Sequence, residues 1–127
     1  MKYMFLLYGS ELPAPGTDEA RTLLEQWSTA RQAMADAGVL KSSAGLQPTA
    51  TATTVRTADG RHQVLDGPYA DSKEQLGGFH IIEVADLDAA ISWASRSPTS
   101  IHGVVEVRPL FDGTFLTRGI EDFIKPE

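Results

Sequence analysis

The 127-residue sequence predicts an α+β domain in which an antiparallel sheet carries its helices on one face. Strand-like runs alternate with two helical stretches in the order strand, helix, strand pair, strand, helix, strand. Each helical stretch has a single apolar stripe, so each has one face to bury. Two of the strand runs, 2–8 and 79–84, are apolar in nearly every position, which requires cover on both sides of their sheet. With the strand pair counted as an insertion, the order is close to βαββαβ, the split βαβ arrangement.

Lys2 to Tyr8 reads as the first strand, buried on both faces because Tyr3, Met4, Phe5, Leu6, Leu7 and Tyr8 do not alternate with polar residues. Gly9 to Gly16 contains Pro13 and Pro15 and reads as a loop. Thr17 fits an N-cap, and Asp18 and Glu19 fall where the helix dipole favours negative charge. The helix is expected from Asp18 to Ala37, with Leu23, Trp27, Ala30, Met34 and Ala37 on its buried stripe and Gly38 as terminator. Trp27 and Met34 read as core packing.

Residues 39–46 lead into a break at Gln47-Pro48. Thr49 to Thr57, rich in Thr and Val, reads as a strand at an edge or with a solvated face. Asp59-Gly60 is a strong hairpin signal, and His62 to Leu65 is the returning strand. Phe79 to Val84 is the next strand. Asp86 caps a second helix whose buried side is expected to hold Leu87, Ala90, Ile91 and Ala94, and Ser97-Pro98 stops it. Gly103 to Pro109 closes the sheet, with Val105 and Val107 on one face and Glu106 and Arg108 on the other. Leu110 to Glu127 carries Phe111, Phe115, Leu116, Phe123 and Ile124. It is too apolar for a free tail and is expected to dock, within a single domain spanning 1–127.

Composition narrows the function. A net charge of −6, with Lys41, Arg56, Arg61, Lys73, Arg96, Arg108 and Arg118 scattered, disfavours nucleic acid and anionic membranes. The absence of cysteine removes disulfides, thiolate nucleophiles and Cys-based zinc sites. No apolar run approaches the roughly 20 residues of a membrane span, and the N-terminus lacks a signal-peptide pattern, so a cytoplasmic location is expected. Three histidines without close spacing make a poor metal site, and no glycine-rich phosphate loop or nucleophile elbow is present. No cofactor is implied.

The longest informative stretch joins two strands: Asp66-Gly67-Pro68-Tyr69-Ala70-Asp71-Ser72-Lys73-Glu74-Gln75-Leu76-Gly77-Gly78. A plain hairpin closes with about two to five residues, so this connection is longer than closure needs. Asp66 is either a general base or partner-orienting carboxylate, or a turn residue accepting hydrogen bonds from nearby amides. Tyr69 could stack on a ligand or fill a seam between subunits. Lys73 is an anion-binding candidate, against a solvated or ion-paired lysine. His80, on the strand face opposite Phe79 and Ile81, could shuttle protons in a cleft or sit as a satisfied core histidine. Glu106 and Arg108 could bind a polar ligand or form an ion pair. Two amphipathic helices on one side leave the second apolar sheet face uncovered, which points to a homodimer packing sheet against sheet around a barrel-like core.

Asp66-Gly67-Pro68-Tyr69, Lys73-Glu74 and Gly77-Gly78-Phe79 resemble the central motif of the YCII-related, or DGPF-domain, family. The opening Met1 to Gly9, the run Glu83-Val84 with Asp86 to Ala90, and Gly103 to Pro109 resemble its first strand, second helix entry and closing strand. The resemblance implies a ferredoxin-like domain that forms a dimeric α-β barrel. It also implies one of two roles. The first is binding or transformation of a small polar or aromatic molecule by His/Asp proton transfer in a cleft at the dimer sheet, since some relatives are dehydrochlorinases of hydroxylated aromatics. The alternative is a non-enzymatic regulatory or companion module, since other relatives accompany extracytoplasmic-function sigma factors. The expected partners are a second copy and, on the first of these roles, a small-molecule ligand, with no nucleic acid and no membrane.

Overall fold

The structure is a computed structural model that describes residues 1–10 and 12–111. The elements run β1 (Lys2–Gly9), α1 (Asp18–Asp36), β2 (Leu40–Gly45), β3 (Thr53–Ala58), β4 (Arg61–Asp66), β5 (Gln75–Glu83), α2 (Leu87–Ser95), α3 (Thr99–His102) and β6 (Val104–Pro109). Four strands form an antiparallel sheet in the order β2-β5-β1-β6, while among the described residues β3 and β4 pair only with each other. With the β3–β4 hairpin set aside, this is the βαββαβ, ferredoxin-like order.

The register divides the sheet cleanly. Tyr3 pairs with Ile82, Phe5 with His80 and Leu7 with Gly78 on one side of β1, and Phe5 and Leu7 face Val107 and Val105 on the other. Residues directly opposite share a face. That face is the one α1 and α2 cover: Tyr3, Phe5 and Ile82 are buried with Met34 of α1 and Ala90 and Ala94 of α2. The other face carries Met4, Leu6, Phe79 and Ile81, all half-buried, beside Glu106 and Arg108.

Local chemistry explains the ends. Thr17 Oγ1 accepts from Ala20 N–H at 3.2 Å, and Asp86 Oδ1 accepts from Ala89 N–H at 2.9 Å, so both long helices are capped by the residues the sequence nominates. Gly38 ends α1 with φ +75°. Asp59 and Gly60 both have positive φ, the geometry of a two-residue hairpin turn that matches strand twist.

Several expectations are corrected. The strand that completes βαββαβ is β2, whose Lys-Ser-Ser-Ala sequence has too little apolar character to announce it; it lies at the sheet edge, where such residues are tolerated. Residues 49–51 form a turn of 3-10 helix, and the strand expected there starts at Thr53. Gln75 to Gly78 belong to β5. Gly77 is the extra residue of a bulge, since Leu7 pairs with Gly78 and Tyr8 with Leu76. Gly78 must be glycine because a Cβ there would lie 2.8 Å from the Ala44 carbonyl oxygen.

The buried side of α2 is Ala90 and Ala94 with half-buried Trp93, whereas Leu87 and Ile91 are about half exposed, at 48% and 47%. Two alanines in contact let the helix lie close to the sheet, and this turns the larger residues outward. The hairpin is solvated on both faces, not one, and every residue of β4 is exposed. The expected docking of 110–127 lies outside the described residues beyond Phe111. Among the described residues no helix is long and apolar enough to cross a membrane.

Candidate functional site

The two helical layers do not close fully over the sheet. Between α1 and the α2–α3 segment runs a groove of roughly 540 Å³, with Phe5 and His80 on its floor and Trp27, Trp93, Arg96 and Ile101 among its walls. That volume falls in the roughly 300–1,000 Å³ range of small-molecule sites. Its rim is braced where Trp27 Nε1–H donates to Thr99 Oγ1 at 3.1 Å, tying α1 to α3. A second recess of about 500 Å³, lined in part by Tyr8, Leu12 and Glu19, shares Trp27 and His102 with the first.

His80 reaches the groove because β5 alternates. Phe79 and Ile81 turn to the helix-free face, and His80 and Ile82 turn to the helices. Phe5 and Ser43 flank it on the neighbouring strands. Its Nδ1 is buried with no hydrogen-bond partner among the described residues, a condition that costs about 1–3 kcal/mol in a folded protein. Burial pushes its pKa below the ordinary value, and the Arg31 guanidinium lowers it further. The imidazole is therefore neutral at pH 7, with one nitrogen able to accept and the other to donate. Arg31 is held nearby by Nε–H donation to Ser43 Oγ at 2.9 Å.

The remaining residues singled out in the sequence lie elsewhere. Glu106 and Arg108 are brought together, as an ion pair on the helix-free face. That is the face opposite His80, so one cleft on one side of the sheet cannot be walled by all three. Asp66 ends β4 on the hairpin, opposite Thr53, is exposed, and does not line the groove of His80. Among the described residues its side chain accepts no hydrogen bond from the turn. The corner is held instead by Gly67 N–H to the Ala52 carbonyl at 2.8 Å and by Thr54 Oγ1–H to the Gly67 carbonyl at 2.8 Å. Gly67 has φ +98°, which explains glycine after Asp66. Tyr69, 87% exposed, and Lys73, also exposed, sit in the loop 67–74.

The groove's own walls were not singled out by the sequence. Trp27 reads as core because it lies on α1's apolar stripe, yet it is half-buried and faces the recess. Arg96 lies over Trp93, its Cζ 4.4 Å from the ring centroid. The spacing i,i+3 at the end of a helix was the available signal for that pair. Among the described residues no group of three or more His, Asp or Glu could hold a metal ion.

Comparison with known proteins places the chain. An uncharacterized protein of Rhizobium meliloti (strain 1021) is 37% identical over 116 residues, covering 87% of this chain and 92% of that one. The solved structure of 5-chloro-2-hydroxyhydroquinone dehydrochlorinase (TftG) from Burkholderia phenoliruptrix AC1100, in complex with 2,5-dihydroxybenzoquinone, aligns with 91% of this chain and 98% of that chain, at a TM-score of 0.48 and 13% identity. The family model of the YCII-related domain matches residues 1–114, a span that includes every residue described above. By this match, and by the curated relative it resembles along most of its length, the chain belongs to the YCII-related domain family.

Proposed function

We propose that the groove between α1 and α2–α3 binds a small polar or aromatic molecule, with His80 as the group that exchanges a hydrogen bond or a proton with it. The observation that carries this is an imidazole with one ring nitrogen buried and unpartnered among the described residues, on the floor of a recess walled by two tryptophans. Unsatisfied buried polar groups and perturbed titrations collect at functional sites because a folding-optimised core would replace them. A histidine with its pKa below 7 is a competent general base near neutral pH. Asp66, Tyr69, Lys73, Glu106 and Arg108 then belong to a different surface, the hairpin and the helix-free sheet face. There a second copy packs against Met4, Leu6, Phe79 and Ile81, with Glu106 and Arg108 among the polar groups around that apolar centre.

Thermal-shift profiling of a small-molecule library tests the assignment. A stabilising compound should lose its effect in His80→Ala and keep it in Asp66→Asn, because Asp66 lies off the groove. A hit indifferent to His80→Ala overturns the reading. One abolished by Asp66→Asn alone moves the site to the hairpin.

A further inference from the structure

Building on that reading of the groove, we infer that its ligand is an anion: a small aromatic carboxylate, with Arg96 as its charge-recognising residue. The chain as a whole is acidic, with a net charge of −6. The groove runs against that background. Arg96 stands in its wall, and Arg31 stands beside its floor, close enough to His80 to repel a proton from it. Neither guanidinium forms an ion pair with a carboxylate among the described residues, where the ion pairs are Asp18–Arg21 and Glu106–Arg108. Glu25 is the one carboxylate lining the groove, and it pairs with neither.

Arg96 is also pre-positioned. Its guanidinium sits over the Trp93 ring, a contact made through the cation and the ring face that uses none of its N–H donors. Among the described residues no side-chain hydrogen bond from Arg96 takes those donors either. A guanidinium fixed on an aromatic face, with its planar fork unspent, suits bidentate capture of a carboxylate. Trp27 across the groove offers an aromatic wall to the ring of such a ligand, and His80 below offers one polar contact to a ring substituent. Inorganic phosphate lacks the flat ring that the aromatic walls accommodate.

The chain supplies its own reporter, since its two tryptophans, Trp27 and Trp93, both line this groove. Tryptophan fluorescence of the full chain would be titrated with 4-hydroxybenzoate and, separately, with 4-hydroxybenzamide, which has nearly the same shape but no charge. The carboxylate should change the emission saturably and bind roughly tenfold more tightly than the amide. In Arg96→Gln that preference should collapse toward unity because carboxylate binding weakens far more than amide binding. Arg96→Lys should restore part of it. Calorimetry on the same variants guards against a change in Trp93 emission caused by the substitution itself. Equal affinity for the two probes, or a preference that survives Arg96→Gln, overturns the anion assignment and leaves the groove as a small-molecule site. Failure of both probes to bind overturns the groove reading as well.

Discussion

Replacing His80 with leucine separates the two roles an interior imidazole can have. A leucine of similar volume removes the unpartnered Nδ1 and keeps an apolar group opposite Phe5, on the strand face it shares with Ile82, residues that are 1% and 0% exposed. Relief of one buried, unpaired polar atom contributes about 1–3 kcal/mol, and a slightly different side-chain shape takes back a fraction of that. A net gain of about 1–2 kcal/mol should raise the Tm by roughly 3–10 °C for a chain of this length. The assay is thermal and urea unfolding at matched protein concentration, repeated between about pH 8 and pH 5.

The pH arm has a definite sign. His80 has a folded-state pKa below its unfolded value, so between the two values the unfolded chain holds a proton that the folded chain does not. The stability this histidine contributes is therefore complete above its ordinary pKa of about 6.5 and is lost as pH falls through its folded pKa. The leucine variant lacks this loss, so its advantage over the wild type should widen on acidification. A variant less stable than the wild type, or an advantage that stays constant from about pH 8 to pH 5, would refute the claim that the imidazole is buried at a cost. A gain in stability accompanied by loss of ligand response would show a residue kept for function at the expense of folding.

Other substitutions probe the frame around the groove. Gly103→Ala puts a Cβ 2.1 Å from the Tyr8 carbonyl oxygen and should cost at least about 2 kcal/mol in urea unfolding, although φ −156° suits any residue. Asp86→Ala removes the cap of α2 and should lower the urea midpoint by about 1 kcal/mol of stability with an unchanged m-value. Trp27→Phe keeps an aromatic side chain but loses the indole N–H bond to Thr99 and some ring volume, and a cost of at least about 1 kcal/mol is expected by the same measurement. Phe79→Asp places a charge on the helix-free face. Light scattering should then find one copy per particle with far-UV circular dichroism retained, and a wild type that is already a single copy would remove the sheet-face dimer from the proposal.

The parts of the fold written in periodicity or capping were legible. Strand β1, helix α1 with Thr17 before it, the Asp59-Gly60 turn and the alternation of β6 follow from local rules that the tertiary structure does not override. What escaped lacks a local signal. Strand β2 has one large apolar residue in six and owes its conformation to pairing with β5, formed across more than thirty positions of chain. Helix α3 is only four residues long. The face of His80 was legible from alternation, but not what stood over it. Whether a strand face meets a cleft or a packed helix depends on how closely two helices approach, and here the small Ala90 and Ala94 set α2 down where a gap to α1 remains. For the same reason Trp27 passed for ordinary core.

The hairpin β3–β4 meets the rest of the molecule through a narrow neck, where the Ala52 carbonyl and the Gly67 N–H already bond. Its pairing is fixed by its own tip, so it carries its register with it wherever it is attached. Excising residues 53–66 would leave two ends close enough for a short glycine bridge, with little added loop entropy to overcome. The unit is thus a cassette, and its shortening or removal is expected to leave the pairing of the sheet beneath intact.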